Sequence, residues 1–312
     1  MSTTIFQGTA ATAATYELAE GILWDDRAEC ARWVDIWKGR VLAGELRDGR
    51  LVTLSETVLG QTAGAVGLAE DGGLIVAAAR GLATISRMGE VSLGPDLLGS
   101  RGLVRLNDGS VDPNGAFVVG TASLDPASLA APAGKETLLR VWPDGRVETL
   151  RTGIRLSNGI AFSPAGDTIY HVDTYSDTVS SHSYGAQFDH HEPWQAVLTD
   201  LPGHPDGLTV DAEGALWVAL WGASRVQRHA PTGELLATVN LDAGQVSCPG
   251  FVGPDFATLA ITTGQEGLEV VNDQTGAIFI ADVGVRGIPA HRWRGSTTTP
   301  YWLNQAPKQE HA

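Results

Sequence analysis

Leu156-Ser-Asn-Gly-Ile-Ala-Phe-Ser-Pro-Ala-Gly-Asp-Thr-Ile-Tyr, residues 156–170, joins an apolar strand end to a second strand through a turn of Ser, Pro, Gly and Asp. Those residues supply the side-chain hydrogen bond, the fixed φ and the positive φ that a tight turn requires. The same pattern recurs from Leu68 (Leu-Ala-Glu-Asp-Gly-Gly-Leu-Ile-Val), Val111 (Val-Asp-Pro-Asn-Gly-Ala-Phe-Val-Val) and Val210 (Val-Asp-Ala-Glu-Gly-Ala-Leu-Trp-Val), with weaker copies from Trp24 and Val252. Six copies at a period of roughly 40–50 residues are the signature of propeller blades. A second set of turns, around Asp48-Gly49, Gly89, Asp144-Gly145 and Gly233, has the chemistry of an outer hairpin in a four-stranded blade. The expected fold is therefore all-β, a six-bladed β-propeller around a central channel.

Working outward, the chain has 312 residues and no linker between halves, so one domain over 1–312 is expected, the propeller over about 16–290 and a polar, poorly packed tail over 295–312. Helical periodicity is hard to find, which argues against an α/β reading. Thr121 to Gly134 is small and loop-like, long enough for a lid or binding loop. No apolar run is long enough to span a membrane as a helix. A formal net charge of -15 without an acidic tail argues against nucleic acid or an anionic membrane as partner. Only Cys30 and Cys248 are present and no secretory signal is visible, so a reducing cytoplasm is expected, with a monomer as the plain oligomeric state.

Superposing the six copies on the apolar residue before the turn places the residue four positions earlier at one equivalent site per blade. That column reads Glu20, Gly64, Asn107, Asn158, Asp206 and Cys248. Inner strands of a propeller line the channel, so the column is expected to be a ring. Four members carry oxygen donors, the mixture of carboxylate and amide that a hard divalent cation prefers, whereas Cys248 reads as an apolar filler. The competing reading is that Asn158-Gly159 and Asp206-Gly207 merely form turns.

Ala19-Glu-Gly-Ile-Leu-Trp-Asp, Arg105-Leu-Asn-Asp-Gly-Ser-Val-Asp-Pro-Asn-Gly, Leu156-Ser-Asn-Gly-Ile-Ala-Phe-Ser-Pro-Ala-Gly and Pro205-Asp-Gly-Leu-Thr-Val-Asp-Ala-Glu-Gly together resemble four motifs of the senescence marker protein, gluconolactonase and luciferin-regenerating enzyme family. The resemblance implies a six-bladed propeller lactonase with a metal on Glu20, Asn158 and Asp206, and substrate contacts from Arg105 and Asn107. It also implies one divalent ion, with Ca2+ favoured and Zn2+, Mg2+ or Mn2+ open, and a sugar lactone as small-molecule substrate. After the second motif, Gly120-Thr-Ala-Ser-Leu-Asp departs from the Met and acidic residues of many members.

In this reading the cation polarises the ester carbonyl or acidifies a water, and Asp206 is the general base. His204 is a rival base, and Tyr175 and Trp221 are candidate pocket walls. His171, His182, His190, His191 and His229 read as structural, as do Trp24, Trp142 and Trp217. A Ser nucleophile is disfavoured: no GxSxG elbow occurs and Ser157 has no evident His and acid in order. A phosphotriesterase on the same metal site and a non-enzymatic calcium-binding propeller are the alternatives.

Overall fold

The computed structural model describes residues 3–125, 127, 131 and 134–304. Two short strands open the chain, β1 (Thr4–Gln7) and β2 (Thr9–Ala10). A first antiparallel group follows: β3 (Ala19–Asp25), β4 (Cys30–Asp35), β5 (Arg40–Arg47) and β6 (Arg50–Val58). The second comprises β7 (Ala63–Ala69), β8 (Leu74–Ala78), β9 (Leu82–Ile85) and β10 (Val91–Leu93). The third comprises β11 (Val104–Val111), β12 (Phe117–Ser123), β13 (Glu136–Val141) and β14 (Val147–Ile154). The fourth comprises β15 (Ser157–Phe162), β16 (Thr168–Asp173), β17 (Thr178–Ser183) and β18 (Gln195–Leu198). Next come β19 (His204–Val210), β20 (Leu216–Trp221), β21 (Arg225–His229) and β22 (Leu235–Asn240). The last strands are β23 (Gln245–Val252), β24 (Thr258–Gly264), β25 (Phe279–Asp282) and β26 (Arg292–Trp293).

These strands form five hydrogen-bonded sheets in a propeller-like arrangement, almost without helix. The largest sheet has nine strands and runs through a single strand-to-strand pair, Trp221 with Gln245, that joins β20 to β23. On one side β1 adds in parallel to β22; on the other β2 adds antiparallel to β25. The first strands contact one another in a closed circuit, β3 to β7, β11, β15, β19, β23 and back to β3.

The period-two side-chain alternation of a strand explains the core. In β20, Trp217 and Ala219 face one neighbouring group while Leu216, Val218 and Leu220 face the other. Both faces of each sheet are thereby buried, which is why strands such as Leu-Ile-Val-Ala-Ala (74–78) are apolar throughout. Six apolar clusters are seen among the described residues, one between each pair of neighbouring strand groups. At about 1.5–3 kcal/mol for each fully buried Val, Leu or Phe, these interfaces hold the ring together.

The repeat turns fold as expected, and two show why Asp and Gly recur. Asp112 Oδ1 accepts from the backbone N–H of Asn114 and Ala116, and Asp211 Oδ1 from those of Glu213 and Ala215. Gly115 and Gly214 then close their turns at φ of 79° and 84°, where a side chain would be strained.

Three boundaries differ from the sequence reading. Strands at 4–10 and 292–293 extend the sheets beyond 16–290. The segment 295–304 is packed: Thr297 is buried and bonded to Asp71, and Trp302 donates to Ser92 and lies against an apolar cluster. The remainder of the expected tail, 305–312, lies outside the described residues. Thr121 sits buried inside β12 and donates to Glu136, so the loop begins after Ser123; much of its length also falls outside the described residues.

Candidate active site

Every member of the expected ring lies at a break in strand register. The pairing slips between Glu20 and Leu23, Ala63 and Ala65, Leu106 and Gly109, Ser157 and Ile160, Pro205 and Leu208, and Val246 and Cys248. Such bulges re-aim a side chain out of the regular alternation. Asn158 and Asp206 therefore occupy strands, and the turn reading of their Asn-Gly and Asp-Gly pairs is wrong. The glycines serve close approach instead. A Cβ on Gly159 would lie 2.6 Å from the Asp206 carbonyl oxygen, and one on Gly64 would lie 2.4 Å from that of Asn107. Glycine thus lets neighbouring inner strands converge.

The result is a cavity of about 410 Å³ whose wall includes Glu20, Arg105, Asn107, Asn158, Tyr175, His204, Asp206 and Trp221, all the side chains singled out from sequence. Leu18, Ile36 and Leu156 supply its apolar surface, and Thr174, Gln245 and Glu266 are polar members that sequence reasoning missed. A smaller cavity, about 130 Å³, opens from the opposite end and is lined by Asp108 and Cys248.

A hydrogen-bond chain orders the amides. Thr174 Oγ1 accepts from Asn158 Nδ2 at 3.0 Å, which leaves Asn158 Oδ1 as the atom turned to its neighbours; there it accepts from Asn107 Nδ2 at 2.9 Å. Asn107 Oδ1 in turn accepts from Arg105 Nη1 at 2.6 Å. The Arg105 guanidinium lies 5.0 Å from the Trp37 ring centre, a cation–π contact.

The carboxylates are poorly neutralised. Glu20 takes a hydrogen bond from the Gly21 N–H, and Asp108 one from the Gly109 N–H. Burial, then the charges of Asp206 and Asp108, push the Glu20 carboxyl well above the usual range. Burial, then Asp108 and Glu266, do the same to Asp206. Asp108 is pushed up to about 6, chiefly by burial. Arg105 is held down at about 10 by burial, against the attraction of Glu266, Glu20 and Asp206. Two buried acids, Glu20 and Asp206, thus face one guanidinium, with the charge of Asp108 acting on both acids, and an added divalent cation would correct that imbalance.

The donor set fits such an ion: two carboxylates and an amide oxygen are hard ligands. Among the described residues no three His, Cys, Asp or Glu side chains are arranged to hold a metal, as expected where the third donor is an amide. Cys248 is buried beside these acids, and desolvation followed by their charges pushes its thiol well above its usual value, so it fills space as an uncharged group.

The histidines sort differently. His204 is exposed at the cavity mouth, its Nδ1 2.6 Å from Asp177 Oδ1. Contrary to the sequence reading, Ser157 does have a histidine partner: His171 Nε2 lies 2.8 Å from Ser157 Oγ. Arg151 Nη1 sits 3.0 Å from His171 Nδ1, where a nucleophilic triad would place an acid. That arginine must donate, so the proton resides on Nε2 and points at the serine. Burial and Arg151 hold His171 well below its ordinary value, and the pair cannot activate Ser157.

The SMP-30/Gluconolactonase/LRE-like region matches residues 18–265. A 6-deoxy-6-sulfogluconolactonase of Pseudomonas putida is 32% identical, covering 86% of this chain and 92% of its own length. A pentonolactonase of Haloferax volcanii is 30% identical, covering 88% and 94%. Among solved structures, a calcium-binding protein, regucalcin, from Agrobacterium tumefaciens superposes with a TM-score of 0.84 at 27% identity, covering 94% of this chain and 100% of that one.

Proposed function

This chain belongs to the SMP-30/gluconolactonase/LRE-like family, and from that membership we propose that it is a metal-dependent lactonase opening a sugar lactone to its aldonic acid. The observation that carries the reading is the convergence of two underneutralised carboxylates, an amide oxygen and a buried guanidinium on one cavity. In it Glu20, Asn158 and Asp206 hold one divalent cation, with Ca2+ favoured. Such an ion, when bound, supplies Lewis-acid polarisation of the ester carbonyl and acidifies water.

The protein's own groups do the rest. Asp206 accepts the proton of the attacking water and returns it to the ring oxygen as the ester bond breaks. Arg105 orients the lactone oxygens through its guanidinium donors, and Asn107 lies against the substrate beside it, its Oδ1 accepting from Arg105 Nη1 and so fixing the guanidinium. Leu18, Ile36 and Trp221 limit water access. His204, paired with Asp177, and Tyr175 shape the mouth.

The same reading takes the nine-stranded sheet as two blades, giving six blades in one domain, supported by its division at the Trp221–Gln245 pair and by the closed circuit of first strands. It places the protein in the cytoplasm, supported by two buried, unpaired cysteines. Among the described residues, no helix is long and apolar enough to cross a membrane.

Proton release from glucono-1,5-lactone, with chelator and after restoring divalent cations, tests this. Chelator-sensitive turnover lost in Asp206→Asn supports it. Tight cation binding without turnover of any lactone or phosphotriester would favour a calcium-binding propeller instead.

A further inference from the structure

One wall of the cavity carries buried hydrogen-bonding atoms that the fold leaves unpaired. Gln245 opens β23 and is buried, 8% exposed; its Nε2 donates to the Glu266 backbone carbonyl at 3.1 Å. Its Oε1 is buried and has no hydrogen-bond partner. A buried acceptor left unsatisfied is rare and calls for an explanation. Beside it, Glu266 Oε2 accepts from Trp37 Nε1 at 2.8 Å, and no protein donor to Oε1 is seen among the described residues. The Trp37 ring that anchors this carboxylate also lies under the Arg105 guanidinium, whose Nε is likewise buried and unpartnered.

The unfilled acceptor at Gln245 and the unfilled donor at Arg105, with the exposed Glu266 carboxylate beside them as a further acceptor, match hydroxyl groups, which both donate and accept. They do not match a carboxylate, sulfonate or phosphate, which brings no proton and meets the charge of Glu266 on this wall. The geometry points to Gln245 and Glu266 as a specificity subsite that accepts the hydroxylated tail of a neutral lactone and rejects anionic ones. The inference rests on the lactonase reading above for the identity of the reacting group, and on the wall chemistry for the selection.

A single charge a few ångströms from an anionic substituent, in the partly screened mouth of a cavity, is worth about tenfold in discrimination. The test compares turnover of two substrates, neutral D-glucono-1,5-lactone and anionic D-glucaro-1,4-lactone, by the metal-loaded full-length protein. The wild type is expected to favour the neutral lactone at least tenfold in kcat/KM. Glu266→Gln is expected to shrink that preference about tenfold, mainly by lowering KM for the anionic lactone, because the amide keeps an acceptor and loses the charge. Gln245→Met is expected to raise KM for the neutral lactone several-fold. A preference that Glu266→Gln leaves unchanged overturns the inference. If neither lactone is turned over, the lactonase reading fails by itself. Calorimetric titration with D-glucose and D-glucuronate then decides the subsite: discrimination against the anion that weakens in Glu266→Gln upholds it, and equal or absent binding overturns it.

Discussion

Two sets of buried carboxylates sit on the first strands or at the turns that follow them, and their surroundings are opposite. Asp112 and Asp211, at the repeat turns, are fully buried and heavily donated to. Asp112 takes two backbone N–H groups and the Tyr184 hydroxyl and pairs with a fully buried Arg140; Asp211 takes two N–H groups, Trp217 Nε1 and Arg228 Nε. Glu20 and Asp108, in the channel, are nearly as buried, yet each takes one hydrogen bond, from the following N–H. A buried acid surrounded by donors stabilises the fold; a buried acid short of donors costs stability and points to a ligand. The difference separates structural from chemical carboxylates without reference to their position in the repeat.

The largest effect that would sharpen this contrast is on activity. Asp206→Asn is expected to lower kcat/KM on a responsive lactone by at least about a thousandfold, while the metal-free variant melts no lower than the metal-free wild type. Asp112→Ala is expected to do the reverse. It leaves Arg140 buried with only the more distant Glu148, at 3.8 Å, and should cost about 3–5 kcal/mol in denaturant unfolding, with the surviving folded fraction active. If Asp206→Asn unfolds as readily as Asp112→Ala, the contrast collapses.

A third effect is pH dependence. Asp108 binds its proton more tightly folded than unfolded, so between its unfolded value near 3.8 and about 6 the folded state holds more protons, and metal-free stability falls as pH rises. The size is on the order of 2–3 kcal/mol, from about two units at about 1.4 kcal/mol each. Thermal melts from pH 4 to 7 would show it, and Asp108→Asn should flatten the slope. Divalent cation at a hundredfold over its Kd should add about 2.7 kcal/mol near pH 7 in the wild type and far less in Glu20→Gln. Smallest is Ser157→Ala, expected to cost about 1 kcal/mol for the lost hydrogen bond to His171 while leaving turnover essentially intact. Loss of all turnover there would revive a serine mechanism.

Much of this was readable because the chain repeats. One register, set by six turn motifs, was enough to pick Glu20, Asn107, Asn158 and Asp206 from 312 residues. What sequence could not supply was the reason these residues leave the strand alternation, since the bulges exist only in the pairing with the second strands. Asp108 escaped because the column admits one residue per repeat, and the bulge in β11 presents two adjacent polar residues, Asn107 and Asp108, to cavities at opposite ends. Gln245 opens β23 ahead of Cys248 and Glu266 lies just past β24, so both stand outside the single column that was superposed. The strands at 4–10 carry no copy of the motif and became strands only by borrowing an edge.

That borrowed edge has a consequence for how the molecule is made. Thr9 pairs with Ile280 and Ala10 with Phe279, so β2 finds its partner only once β25 has been made. Until then β2 lacks its neighbour, and the incomplete sheet presents an unpaired strand margin able to capture a second copy. Such distant pairings slow folding, because the long loop must close before the contact rewards it. Yield from the cell should therefore depend on chaperone supply and growth temperature more steeply than the stability of the finished ring would suggest.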